Sequence, residues 1–158
     1  MIAYIALIVS FAGAVIAIVT LRLNYRQRLR QFEQMYVQRY WSIIDCCSLE
    51  AMNTKSSVKK PSKDDQKAIR AYIRLCEEEL MVRAEGWISD ATYRIWADAT
   101  CITMDLPMFA LVWKQVQEDS IFEHKHLTEL LRNQTPIYDP CPMTRFTRWL
   151  HVLTEIRP

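Results

Sequence analysis

The chain has 158 residues, 24% of them charged, and a formal net charge of +2. That length accommodates one domain plus an anchor, and not two large domains. Only two glycines occur, Gly13 and Gly86, which excludes the glycine-rich phosphate loops of dinucleotide-binding, P-loop and kinase folds and argues against a hairpin-rich β fold.

Charge is unevenly spread. Residues 1–21 carry none of the 20 basic or 18 acidic side chains, and within residues 2–21 only Ser10, Gly13 and Thr20 fall outside the apolar set. At about 1.5 Å per residue such a helix is about 30 Å long, the thickness of a bilayer's hydrocarbon core. The two hydroxyls can bond to carbonyls of the preceding turn, so they do not forbid insertion. Arg22, Arg26, Arg28 and Arg30 follow the span, and no basic side chain precedes it. Lys and Arg accumulate on cytoplasmic flanks. The pattern therefore predicts a single-pass anchor in the inner membrane, N-terminus outside, with residues 22–158 in the cytoplasm. A cleaved signal peptide is a weaker rival: Ala12-Gly13-Ala14 has small residues, but no basic region leads it and seven mostly apolar residues follow. A buried core helix does not need so long an uncharged run. Ala6, Gly13 and Ala17 are spaced so that another membrane helix can approach closely.

No Gly or Pro occurs from Ala14 to Lys60, and Leu29, Phe32, Tyr36, Tyr40, Ile43, Ile44 and Cys47 recur at helical steps. They predict a long juxtamembrane helix over 22–51. Residues 53–66 are polar and broken by Pro61, hence a loop, with Asp64 or Asp65 as cap of the next helix. That helix extends to about Glu85 with Ile69, Tyr72, Ile73, Cys76, Leu80 and Met81 inward. Arg74–Glu78 and Glu79–Arg83 are opposite charges four apart. Gly86 ends it as a left-handed residue. Ser89 caps a third helix reaching about Thr103, with Ile88, Thr92, Trp96 and Ala99 inward. Asp105 and Pro107 start a fourth, presenting Leu106, Phe109, Trp113 and Val116. Ser120-x-x-Glu123 fits a capping box for a short helix to Arg132. Asn133–Pro142 holds three prolines and reads as an irregular crossing. Thr144 opens a last helix with Phe146, Trp149, Leu150, Leu153 and Ile156 inward. The expected fold is all-α: one transmembrane helix and a compact cytoplasmic bundle of four to six helices. Trp96 and Trp113 are expected to be mostly buried.

Residues 72–113 carry a recognisable pattern: Tyr72 to Leu80 (YIRLCEEEL), Arg83, Gly86-Trp87-Ile88-Ser89, Trp96, then Pro107, Phe109 and Trp113. This pattern resembles that of a group of uncharacterised bacterial proteins with one N-terminal membrane span and a small helical cytoplasmic domain. The resemblance covers about a quarter of the chain and implies that architecture without implying an activity.

Several residues qualify for chemistry by type. Cys76, Glu77 and Glu78, with Glu79, form the sharpest cluster; a buried carboxylate beside Cys76 and Tyr72 has the makings of a general acid or base. The competing reading is a structural polar network or a solvated face. His126 with Glu129, or Glu123 with His126, has one-turn metal-ligand spacing, but neither pair has a third ligand near it in sequence. His124 and His126 are two apart and point away from each other on a helix. The five cysteines, Cys46, Cys47, Cys76, Cys101 and Cys141, include no CxxC; in a cytoplasmic domain they are reduced, with Cys141 the exposed one between two prolines. No cofactor is expected.

Two basic stretches remain: Arg22, Arg26, Arg28, Arg30 and Arg39 against Glu33, and Lys55, Lys59, Lys60, Lys63 and Lys67 against Asp64 and Asp65. Beside a bilayer the first attracts anionic lipid headgroups at about 1 kcal/mol per basic residue. Its plainer role is to set topology. Aromatics that could stack on bases do not interleave the basic runs outside the core face, so nucleic acid is not an expected partner. The expected function is a membrane-anchored helical interaction or scaffold protein, binding another protein or itself. A membrane-bound effector or enzyme using the acidic helix 76–79, in a phage-defence setting, is the alternative.

Overall fold

The structure, a computed structural model, describes residues 2–53, 60–119, 124–133 and 138–142. Among these residues it is all-helical, with no strand: α1 (Ile2–Ile44), α2 (Lys63–Ala84), α3 (Asp90–Met104), α4 (Pro107–Asp119) and α5 (Lys125–Asn133). The chain divides into two units, Met1–Phe32 with Met143–Pro158, and Glu33–Pro142.

In the first unit the described residues belong to α1, which is long and apolar enough to cross a membrane. Leu7 is 69% and Ile16 66% exposed, and nine residues apart they lie on opposite sides of the helix. A helix apolar all round is a membrane span or a deep core helix. None of this apolar stretch is buried, which fits the span.

In the second unit α1 stops at Ile44, short of the predicted residue 51. The amides of Cys46 and Cys47 donate to carbonyls three residues back, Ile43 and Ile44, at 3.1 and 2.9 Å, a tightened final turn. The Ser48 amide then leaves the helical ladder and donates to the Asp65 carboxylate at 2.8 Å. Helix termination is thus set by a residue on α2. That helix begins at Lys63, inside the predicted loop, and its N-cap is Ser62, not Asp64 or Asp65: Ser62 Oγ accepts from the Asp65 amide at 3.0 Å. Asp65 is buried. Burial works against its charge, but hydrogen bonds from Ser62 and Ser48 outweigh that effect and hold its carboxyl below the usual carboxylate range.

The predicted stripe Ile69, Tyr72, Ile73, Cys76 and Leu80 is buried, whereas Met81 is exposed. Leu75, Glu77, Glu79 and Arg83 are buried as well, because α2 packs on α4 and α5 and also receives Tyr40, Ile43 and Ile44. Tyr72 meets Tyr40 edge-on at 6.1 Å and Phe109 at 5.4 Å between ring centroids, an aromatic ladder from α1 through α2 to α4. At the far end Gly86 has φ 80°. Its amide reaches Arg83 O at 2.8 Å and the Trp87 amide reaches Val82 O at 2.9 Å. That pair of bonds is a Schellman stop, which needs the left-handed residue a glycine supplies.

Ser89 caps α3 as expected, accepting from the Thr92 amide at 3.2 Å. Ile88 is buried as expected, but within α3 the inward face is rotated by one residue from the predicted Thr92, Trp96 and Ala99: Tyr93, Ala97, Thr100 and Met104 are buried, while Trp96 is half-buried against the Tyr36 ring at 5.8 Å. Thr100 is drawn inward by Cys76 of α2, and Tyr93 by Arg83 of α2 and the Tyr138 carbonyl, partners that hydropathy does not register. α3 and α4 meet at 92°; Pro107 at the first position of α4 lacks an amide hydrogen and disfavours helix at Leu106. On α4 Phe109, Val112 and Val116 are buried, and Trp113 is half-buried, edge-on to His124 at 5.6 Å. Both tryptophans are therefore less buried than expected. The Ser120–Glu123 capping box and the last predicted helix from Thr144 lie outside the described residues.

Candidate functional site

The acidic helix presents its four chemical groups in four different settings. Cys76 is buried, and the Thr100 hydroxyl donates to its sulfur at 3.6 Å. Burial, reinforced by the nearby Glu79 carboxyl, pushes the thiol well above its ordinary range. A thiol held protonated and sealed from solvent is a poor nucleophile.

Glu77 points toward α5. Its Oε1 accepts from the His126 amide at 3.1 Å and its Oε2 from the Leu127 amide at 2.8 Å. These are orphan donors of the first turn of α5. A carboxylate from another helix, 49 and 50 residues away in sequence, does the work of an N-cap there and also meets the positive end of the helix dipole.

Glu78, on the outer side, receives a two-point contact from Arg39 of α1: Nη1 to Oε2, and Nη2 to Oε1 at 3.3 Å. The expected partner, Arg74, is not the one it takes.

Glu79 is only 9% exposed. Among the described residues it has no hydrogen-bond or ion-pair partner. Burial pushes its carboxyl up to about 8, with Arg39 pulling it down and Glu78 pushing it further up. The spacing of four pairs Glu79 with Arg83; the structure gives Arg83 other partners.

Arg83 is itself the centre of a buried network and is 1% exposed. Nε donates to Asp139 Oδ1 at 3.0 Å and Nη2 to Asp139 Oδ2 at 2.7 Å. Nη1 donates to the Ile88 carbonyl at 2.7 Å, and Nη2 also reaches Asp90 Oδ1 at 2.5 Å. Its Cζ lies 5.0 Å from the centre of the Tyr93 ring, a cation–π contact. Burial opposes the charge, but the bonds to Asp139 and Asp90 outweigh it and hold the guanidinium firmly protonated. Tyr93 in turn donates its hydroxyl to the Tyr138 carbonyl. The network fastens the 138–142 segment to α2 and to the start of α3. It also buries Cys141, which the sequence reading had exposed: the Cys141 amide donates to Asp139 Oδ1 at 3.0 Å. A planar fork with bidentate geometry explains why Arg83 is engaged here and not with Glu79 one turn away.

His126 and Glu129 are not brought together as ligands. The His126 ring pairs through Nδ1 with the Tyr138 hydroxyl at 2.8 Å, while Glu129 takes Arg132 at 3.1 Å. Among the described residues no three His, Cys, Asp or Glu side chains are grouped to hold a metal ion. Arg22, Arg26, Arg28 and Arg30 all have exposed side chains on α1. Tested against known proteins, the chain matches no protein-family model, no curated protein and no solved structure.

Proposed function

We propose that this chain is a single-pass inner-membrane protein whose N-terminal helix, residues 2–21, anchors a cytoplasmic helical bundle that serves as an interaction or scaffold module. The observation that carries the interaction reading is a set of large apolar side chains left outside the core of the second unit. Ile95 and Ile102 are 68% and 70% exposed and seven residues apart on α3, so they share one face, and Trp87 just before that helix is 52% exposed. Single exposed apolar residues are ordinary, whereas a shared apolar face on a small domain suits a protein partner or a second copy. The membrane part rests on the uncharged span and the arginines after it, with Arg22, Arg26, Arg28 and Arg30 set to meet anionic headgroups.

The alternative, an effector or enzyme built on the acidic helix, needs Cys76, Glu77 and Glu78 available for chemistry. Thr100, the start of α5 and Arg39 occupy them instead. A photo-crosslinking residue placed at Ile102 in intact cells tests the interaction reading, with exposed Lys67 of α2 as the control position. A discrete adduct from Ile102 and none from Lys67 is expected. Absence of an adduct from Ile102, and from Ile95 when the residue is moved there, sinks it. A cytoplasm-only reporter fused after Pro158 tests the topology; activity from a periplasmic reporter alone reverses the orientation.

A further inference from the structure

The stretch 33–44 of α1 is held to the rest of its unit by side-chain contacts at helical spacing. Glu33 Oε1 accepts from the Ser89 amide at 3.1 Å, Tyr36 stacks on Trp96, Arg39 clasps Glu78, and Tyr40 meets Tyr72. Glu79, seven residues on from Tyr72 and so on the same side of α2, is buried beside this contact. Its electrostatic neighbours are Tyr36, Arg39 and Tyr40 from α1, and Cys76 and Glu78 from α2, with Glu85 facing Tyr36 as well. The α3 side chain seated on Tyr36 is the uncharged Trp96.

The cation of this group is committed elsewhere, since both Arg39 terminal nitrogens bond Glu78. A carboxylate at position 79 is therefore out of water with no donor among the described residues to satisfy it, a costly state that a proton removes. Water can reach it when the helix above moves away. We infer that Glu79 is a proton-dependent latch: α1 residues 33–44 stay seated on α2 while the Glu79 carboxyl is protonated and lift from it when that proton leaves.

The direction follows from linkage. A carboxyl whose seated-state pKa is raised favours the seated state fully below its free value, near 4.5. It loses that contribution progressively until pH passes the seated value, about 8, and is level above it. Once lifted, a short helical stretch without packing is marginal in water, so its amides exchange. This device acts within the second unit and goes beyond the anchoring and interaction roles proposed above.

The test is amide hydrogen exchange of the full chain in detergent micelles from pH 5.5 to 8.5, with rates corrected for intrinsic exchange. Protection over residues 36–44 is expected to fall about tenfold per pH unit up to pH 7.5 and then flatten. The α4 amides 109–116 should stay more protected at every pH, which marks the opening as local. Glu79→Gln, which cannot ionise, should abolish the pH dependence. An unchanged slope in Glu79→Gln overturns the latch, as does equal exchange of α1 and α4. If Glu79→Gln fails to fold, the ¹³C shift of the Glu79 carboxyl in the wild type decides: a midpoint at or below 5 overturns the proposal, and one above 7 supports it.

Discussion

Glu77 is the residue for which sequence and structure lead to the sharpest opposed expectations, because a catalytic carboxylate and a long-range helix cap respond differently to the same substitution. In Glu77→Gln the side chain keeps one oxygen and swaps the other for an NH2 group. One of the His126 and Leu127 amides keeps its acceptor; the other faces a donor and is orphaned, in a place where Leu127 is fully buried. Hydrogen bonds to a charged group contribute about 1.5–3 kcal/mol, and a buried orphan donor costs about 1–3 kcal/mol, so the substitution should destabilise by about 2–3 kcal/mol. Glu77→Ala loses both bonds and leaves a void, about 3–5 kcal/mol. At about 4 °C per kcal/mol, the Gln variant should melt about 10 °C lower and the Ala variant about 15 °C lower. The assay is a circular-dichroism melt of the full chain in micelles, with amide exchange at His126 and Leu127 as the local readout, where the Gln variant should exchange faster. A Gln variant that melts with the wild type refutes the capping argument. One that melts with the wild type yet loses a cellular phenotype points instead to chemistry at this carboxylate.

Arg83→Met should destabilise by about 3–5 kcal/mol, because it removes the forked cation that Asp139 and Asp90 share in a buried network; Arg83→Lys should recover little, since an ammonium cannot make the forked contact, and a wild-type melt for the lysine variant refutes the network's role. Asp65 has a folded pKa below its unfolded value, so its contribution is present above the ordinary carboxylate range and is lost as pH falls through the lower folded value; Ser62→Ala should flatten that acid limb and remove about 1 kcal/mol of capping, read from melts between pH 3 and 6. Trp96→Ala should cost only about 1–2 kcal/mol, for a half-buried ring stacked on Tyr36; a loss as large as full burial would bring, measured by denaturant titration, contradicts the exposure seen here.

The sequence by itself determined the features whose physics closes within a turn or two of chain. A 3.6-residue period places Ile69, Tyr72, Ile73, Cys76 and Leu80 on one face. Gly86 ends α2 because only a residue free of Cβ takes φ 80° cheaply, Ser89 starts α3 because its hydroxyl reaches an amide three residues on, and Pro107 opens α4 because the first helical position needs no amide hydrogen. The uncharged run to Leu21 likewise needs no fold to be recognised as long enough for a bilayer. Tertiary structure decided which charges meet. Glu78 takes Arg39 from 39 residues away, Glu77 takes amides 49 and 50 residues away, and Arg83 takes Asp139 from 56 away, in place of the partners one turn along α2. An exposed pair four apart on a helix gains only a few tenths of a kcal/mol, whereas a desolvated, forked or cap-forming contact gains several times as much, so the packing of the helices overrides the local choice. The same reason ends α1 at Ile44, where Asp65 captures the Ser48 amide, and leaves Glu79 alone: once its neighbours have taken the better-placed partners, no donor among the described residues is left within its reach.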